Sequence, residues 1–186
     1  LPEYAELHCL SNFSFLRGAS HPEELVREAH RLGYRALALT DECSLAGVVR
    51  AHSVARELGL ALIIGVELRL TDGAHLVLLA DDLRAYQRIA ALVTRGRRRQ
   101  PKGAYELHLV DLEMLDGVGL VILLPSLDPA ADEAACAWLA PRFPARLWLG
   151  VGLFYSGYDG QLLAHAEALG TRHGVPLVAT GDVHMH

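Results

Sequence analysis

The sequence predicts an α/β fold, a barrel of alternating strands and helices whose strands deliver their C-terminal ends to one face. Three observations predict it. Short apolar runs alternate with helix-periodic segments almost from end to end, as in a parallel α/β architecture. With 186 residues, 52% of them hydrophobic, the chain has apolar material for one sizeable core and little room for a second. Metal-binding residue types recur just past the strand-like runs, at His8, Asp41, Glu42, Glu67, Asp182 and His184. Parallel strands bring such residues to one rim, where they can share metal ions.

Each element follows from local pattern. Tyr4 to His8 reads as a strand and leads into a polar turn containing Asn12, Ser14 and Gly18. Ser20 is placed to cap the first helix, with Pro22 in its first turn, Glu23 three residues on and Leu25, Val26, Ala29 and Leu32 on its apolar face. Gly33 ends it, Ala36 to Leu39 is a short buried strand, and Ala46 to Leu58 is a helix closed by Gly59. Ala61 to Leu70 and Ala74 to Ala80 flank Asp72 and Gly73, which predicts a hairpin that interrupts the parallel alternation. Asp82 to Arg97 is a helix. Gln100 to Gly117 is an irregular connection with one short turn around Asp111 to Leu115. Three more strands (Gly119 to Leu124, Ala145 to Leu153, Pro176 to Thr180) alternate with helices near Pro129 to Ala140 and Gly160 to His173, which makes about seven strands in all. A strand that delivers Asp182 and His184 is ordinarily followed by a packing helix, so residues 1–186 are expected to be a single domain cut from a longer polypeptide.

Composition narrows the function classes. No apolar run approaches the roughly 20 residues of a membrane span. The opening Leu1, Pro2 and Glu3 lack the basic stretch and apolar core of a secretory signal, so a cytoplasmic location without membrane partners is expected. Cys9, Cys43 and Cys136 form no CxxC pair and are read as small buried residues. A net charge of −5 gives no overall electrostatic footprint for a phosphate backbone. The one basic run, Arg95, Arg97, Arg98, Arg99 and Lys102, lacks interleaved aromatics and is expected to be a solvated, mobile loop.

GxSxG, P-loop and GxGxxG motifs are absent, which removes the sequence handle for a serine hydrolase, a phosphate-loop enzyme or a dinucleotide enzyme. Metal-assisted hydrolysis remains. In Asp182-Val183-His184 a carboxylate and an imidazole two residues apart in an extended segment face one cavity. Glu67 is of the type that bridges two ions. His8 and His75 stand at strand ends, where a hydrogen-bonded histidine is the plain alternative to a ligand, and Thr40 or Asp41 is equally placed to cap the next helix. His21, His30, His52, His108, His165, His173 and His186 fall on helices, in loops or at the terminus and are read as solvated.

Five ordered segments resemble one known family: Leu7 to Ser20 with His8, Leu10, Arg17 and Gly18; Ala38-Leu39-Thr40-Asp41-Glu42; Ile64-Gly65-Val66-Glu67; His75 to Ala80; and Ala179-Thr180-Gly181-Asp182-Val183-His184. Together they are similar to the PHP (polymerase and histidinol phosphatase) domain of bacterial C-family DNA polymerases. The segment from His8 to Leu25 is most similar to the error-prone branch of the polymerase III alpha subunit. The resemblance implies a distorted seven-stranded β/α barrel, here without the C-terminal part of the domain, whose rim can hold up to three divalent ions (zinc, manganese or magnesium). For the parent it implies a DNA-directed DNA polymerase, a magnesium-using nucleotidyltransferase of DNA repair, damage-induced mutagenesis and translesion synthesis. Its partners would be the remaining polymerase domains, primer-template DNA, dNTPs, other mutagenesis proteins and the sliding clamp. The palm carboxylates that polymerise lie outside this chain.

An intact family site would read HxH at the first motif, which maps to His8 and Leu10, so the second histidine is missing. Arg17 stands where an acid is expected, Glu42 where a histidine is, and Ser126 where a later cysteine or histidine is. Glu67, His75, Asp182 and His184 match. The metal candidates are thus His8, Asp41, Glu42, Glu67, His75, Asp182 and His184, in a site expected to be vestigial and to serve a structural module. The competing readings are a free-standing phosphoesterase of histidinol-phosphatase or 3′-5′ exonuclease type, and a barrel with neither metal nor catalysis.

Overall fold

A computed structural model describes residues 3–126 and 128–186. Leu1 and Pro2, on which the reading of the N-terminus began, lie outside the described residues. The strands are β1 (Ala5–Cys9), β2 (Ala36–Leu39), β3 (Ala61–Arg69), β4 (His75–Ala80), β5 (Leu120–Leu123), β6 (Leu147–Val151) and β7 (Leu177–Ala179). The helices are α1 (Pro22–Arg31), α2 (Val48–Leu58), α3 (Leu83–Arg98), α4 (Pro129–Leu139) and α5 (Asp159–His173), with a 3-10 helix at Leu109–Leu115 where one short turn was expected.

The strands form one sheet in sequence order, β1-β2-β3-β4-β5-β6-β7, curled into a half barrel with the helices outside. Every neighbouring pair is parallel except the two that involve β4, which runs against both β3 and β5. That reversal comes from the tight turn at Asp72 and Gly73, where Gly73 has a φ of +90° that a side chain would resist. It places His75, the first residue of β4, beside Arg69 at the end of β3, on the same rim that the other strands reach with their last residues. No ladder joins β1 to β7 among the described residues. The curl is instead tied at the rim, where Val183 donates to His8 O and accepts from Leu10 N.

One irregularity decides the site. Glu6 is paired with Leu37 and Cys9 with Leu39, so Leu7 and His8 together face the single residue Ala38. This extra residue is a β-bulge, which locally breaks the two-residue alternation of side chains. Leu7 packs in the apolar lumen with Ile63, Val77 and Ile122, and His8 also reaches the concave side, into a cavity of about 130 Å³ shared with His75 and Asp182. A regular strand would have turned one of them toward the helices.

The core has three parts. The largest lies between the sheet and α3, α4 and α5, the second under α1 and α2, and the third is the lumen. Cys9, Cys43 and Cys136 are buried and unpaired, and burial pushes the thiols of Cys43 and Cys136 up to about 11, so they stay protonated at neutral pH. No helix among the described residues is long and apolar enough to cross a membrane.

Two local expectations are corrected. His21, not Ser20, is the N-cap of α1, with Pro22 at the first helical position. Glu24 rather than Glu23 closes the turn by accepting from His21 N at 2.7 Å. Ser20 is drawn away, because its hydroxyl meets Nδ1 of His186 at 2.6 Å. The basic run is the expected mobile loop only in part, since α3 extends through Arg98 and Arg95, Arg97 and Arg99 find partners, while Arg98 and Lys102 are exposed. Arg99 forms a two-point pair with buried Asp111, and Arg97 donates to the carbonyls of Glu42 and Cys43 while stacking on Tyr105. Charge alone suggested solvation, whereas these guanidinium groups satisfy carbonyls and a carboxylate that burial would otherwise leave unpaired.

Candidate metal centre

Glu67 sits at the middle of the rim, wholly buried on β3. His8 Nε2 lies 2.8 Å from its Oε2. A carboxylate only accepts, so this ring nitrogen carries the proton. His75 Nε2 lies 2.8 Å from Oε1 without a hydrogen-bonding geometry. The Arg17 guanidinium covers both oxygens, with Nη1 at 2.5 Å from Oε1 and Nη2 at 3.2 Å from Oε2. Nη1 also donates to Glu42 Oε2 at 2.8 Å. Arg69, two residues along the same face of β3, brings its Nε to 3.2 Å from Oε1.

The loops that carry these groups hold unusual backbone. Of the six non-glycine residues with positive φ, Leu16, Cys43, Tyr155 and Asp182, at 63°, 45°, 56° and 44°, lie in segments that follow parallel strands at the rim, while Asp116 and Ala145 lie before β5 and β6. Non-glycine residues in this region persist where the surroundings over-determine them, which is the habit of sites. Gly18 is required: a Cβ there would lie 2.0 Å from the Ser11 carbonyl oxygen, and this close crossing of the loop on itself aims the preceding Arg17 at Glu67.

The predicted residues separate into three groups. His8, Glu67 and His75 converge, with one donor atom from each within 4.8 Å of the others. Asp182 and His184 stand at the edge of that group. Asp182 Oδ1 is 3.5 Å from His8 Nδ1 and 3.0 Å from His184 Nε2, so the DxH pair meets within itself as well as facing the site. The Glu42 backbone is bridged to Glu67, but its side chain reaches the cluster through Arg17, and its other oxygen accepts from Tyr105. Asp41 points elsewhere: buried, it accepts from Ser11 N, Ser11 Oγ and Ser14 Oγ at 2.7–2.8 Å. Neither it nor Thr40 caps α2, whose N-cap is Gly47. Of the departures from the family pattern, Leu10 is buried and offers no donor, while Ser126 is held by Asp132, which also accepts from His165. His165 is therefore not simply solvated, nor are His108 and His173, paired with Asp72 and Glu133.

Sequence reasoning missed Arg69 and Tyr105. The period of a strand reveals the first, because residue i+2 shares the face of Glu67. Tyr105 arrives from the long connection after α3 and leaves no local signal.

The donor types His, Glu and His suit zinc or manganese. As arranged, however, they do not fit a resident ion, because Arg17 already holds both oxygens of Glu67. A dication and a guanidinium about 4 Å apart repel by on the order of 8 kcal/mol at an effective dielectric of about 20. Leu10 adds no compensating ligand.

Burial opposes ionisation of Glu67, but His75, His8 and Arg17 outweigh it and hold the carboxyl far below its ordinary value of 4.5. A group depressed in the folded state contributes stability above its unfolded value and loses it as the pH falls. The stability gap between this chain and its Glu67→Gln variant is therefore expected to stay level above about pH 5.5 and to shrink progressively below about pH 4.5. Urea unfolding of both proteins between about pH 7 and pH 3 measures it. A gap that widened on acidification would contradict the assigned sign.

The family model for the PHP domain matches residues 6–134. Over 185 residues the chain is 62% identical to the error-prone DNA polymerase of Methylococcus capsulatus, covering 98% of this chain and 17% of that protein. It is 54% identical over 191 residues to the error-prone DNA polymerase of Dechloromonas aromatica (100% of this chain, 18% of that one) and 56% identical over 183 residues to that of Pseudomonas aeruginosa (98% and 18%). The chain thus spans less than a fifth of the length of these curated relatives. Among solved structures, a candidate metal-dependent phosphoesterase of Bifidobacterium adolescentis superposes with a TM-score of 0.72 at 16% identity, covering 99% of this chain and 88% of that one. An amidohydrolase of Chromobacterium violaceum, with bound sulfate and no metal, gives 0.64 at 19% identity (97% and 87%). At such identities the likeness concerns the fold alone.

Proposed function

The chain belongs to the PHP domain family, and from that premise we propose that residues 1–186 form the PHP region of an error-prone DNA-directed DNA polymerase, in which they act as a structural module with a degenerate metal site. One observation carries the structural role: the Arg17 guanidinium lies across Glu67, the carboxylate that a hydrolytic centre would need open to an ion. The identity to error-prone polymerases over nearly the whole chain supports the assignment to such a parent. Within this reading Arg17, Glu42, Glu67 and the two histidines act as a clamp. They join the loops after β1 and β2 to β3 and β4 and so shape the rim that the remaining polymerase domains would meet.

In the parent, the nucleotidyl transfer to primer-template DNA from dNTPs, the magnesium it uses, the contacts with a sliding clamp and other mutagenesis proteins, the cytoplasmic location and the use in translesion synthesis all belong to this proposal. A free-standing phosphoesterase remains as a second reading, because His8, Glu67 and His75 gather in one place on a fold shared with a candidate metal-dependent phosphoesterase. The coding region separates the two. A polymerase parent requires several hundred codons in frame beyond His186, including paired palm aspartates, and a stop codon would end that reading. The companion assay incubates the chain and its Glu67→Ala variant with a 3′-labelled single strand and manganese. Equal, background release from both is expected, and release that Glu67→Ala abolishes would favour the hydrolase.

A further inference from the structure

We infer that Arg17 is an intramolecular substitute for a divalent cation, and that removing its guanidinium opens a one-ion site made by His8, Glu67 and His75. The inference rests on the degenerate-site reading above and adds what occupies the ion's role and how it can be reversed.

Four observations meet here. First, the guanidinium bridges two carboxylates, Glu67 and Glu42, as an ion shared between them would, and it does so at a residue with no solvent exposure. A carboxylate buried to that degree needs a cation or a full set of donors. Second, the charge balances. Arg17 and Arg69 both contact Glu67 Oε1, so two single positive charges stand where one dication would. Third, His8 Nδ1 and His75 Nε2 are buried and make no hydrogen bond. The Arg17 hydrogen bonds among the described residues go to Glu67 and Glu42 and none to an imidazole, so two nitrogens of a type that ligates metals stay without a hydrogen bond at the rim. Fourth, the loop is built for delivery. Asp41 fixes Ser11 and Ser14, the backbone turns through Leu16 at positive φ, and Gly18 passes against Ser11. Arg17 is thereby held inward rather than left to swing into solvent, as a surface arginine would.

The test uses cobalt(II) alone as the probe, because its visible absorption reports nitrogen and oxygen ligation independently of any activity. Three forms of the chain are compared: the parent sequence, Arg17→Ala, and Arg17→Ala combined with Glu67→Gln. The parent sequence is expected to show no ligand-field band and no change in melting temperature with cobalt. Arg17→Ala should melt about 6–15 °C lower without metal, then bind about one equivalent of cobalt and recover at least half of the loss. The double variant should neither bind nor recover. If Arg17→Ala fails to fold, it is refolded with and without cobalt; soluble protein only with the ion supports the substitution, and none in either condition overturns it. Cobalt binding by the parent sequence as tight as that of Arg17→Ala would also overturn it, as would an Arg17→Ala protein as stable as the parent. The assignment to a polymerase is decided separately by the coding region, so either inference can fail without the other.

Discussion

Replacing Glu67 with alanine is expected to lower the unfolding free energy by about 3–5 kcal/mol, because it removes one side of a buried ion pair and leaves the other side charged. Glu67 is fully buried and is contacted by His8, Arg17, Arg69 and His75. Without the carboxylate, His8 Nε2 loses its acceptor, and Arg17 keeps only Glu42 as an anionic partner. The loss extends beyond a single contact, since the same side chain ties the loop after β1 to β3 and β4. In thermal unfolding the change corresponds to about 6–20 °C for a domain of this size. Glu67→Gln should fall between, keeping an acceptor of the same shape while losing the charge. A Glu67→Ala protein within about 1 kcal/mol of the parent in urea unfolding would show that the cluster is an ornament of the rim and not a clamp.

The sequence made the scaffold legible because the features that define it are local. Strand alternation, the glycines after α1 and α2 and the Asp72-Gly73 turn each depend on a few adjacent residues, and they predicted both the seven strands and the reversed β4 that brings His75 to the rim. The convergence of His8, Glu67 and His75 was legible for the same reason: each stands at the rim end of a strand. What escaped was set by tertiary contact. Regular alternation from Tyr4 to His8 gives no sign of the extra residue that turns His8 inward. Arg17 stands out as a departure, yet its bridge from Glu67 to Glu42 depends on how the connection between β1 and α1 folds over the sheet. The basic stretch after Thr94 gives no local sign that Arg97 and Arg99 are held, because their partners, Asp111 and the carbonyls of Glu42 and Cys43, are distant in sequence. Ser20 has the better side chain for a helix cap, but its bond to His186 and the fixed φ of Pro22 move the helix start one residue on.

Asp41 provides the other large effect, and its direction separates an organising carboxylate from a ligand. Its two oxygens accept from Ser11 N at 2.8 Å and from the hydroxyls of Ser11 and Ser14 at 2.7 Å, all buried. Removing the carboxylate strands three donors at once. Each orphaned buried group costs about 1–3 kcal/mol, and entry of water through the rim offsets part of it, so Asp41→Ala is expected to lose about 2–4 kcal/mol. The accompanying sign is local. The amide of Glu42, which donates to Ser14 Oγ, and that of Ser11 should exchange with solvent far faster, while the amides of β4 and β5 keep their protection. Because this carboxylate anchors the loop that aims Arg17, Asp41→Ala and Arg17→Ala should be markedly non-additive, the second costing less once the first has loosened the loop. Strict additivity in urea unfolding would mean that Arg17 holds its place without Asp41, and would move the origin of the clamp from the loop to the sheet.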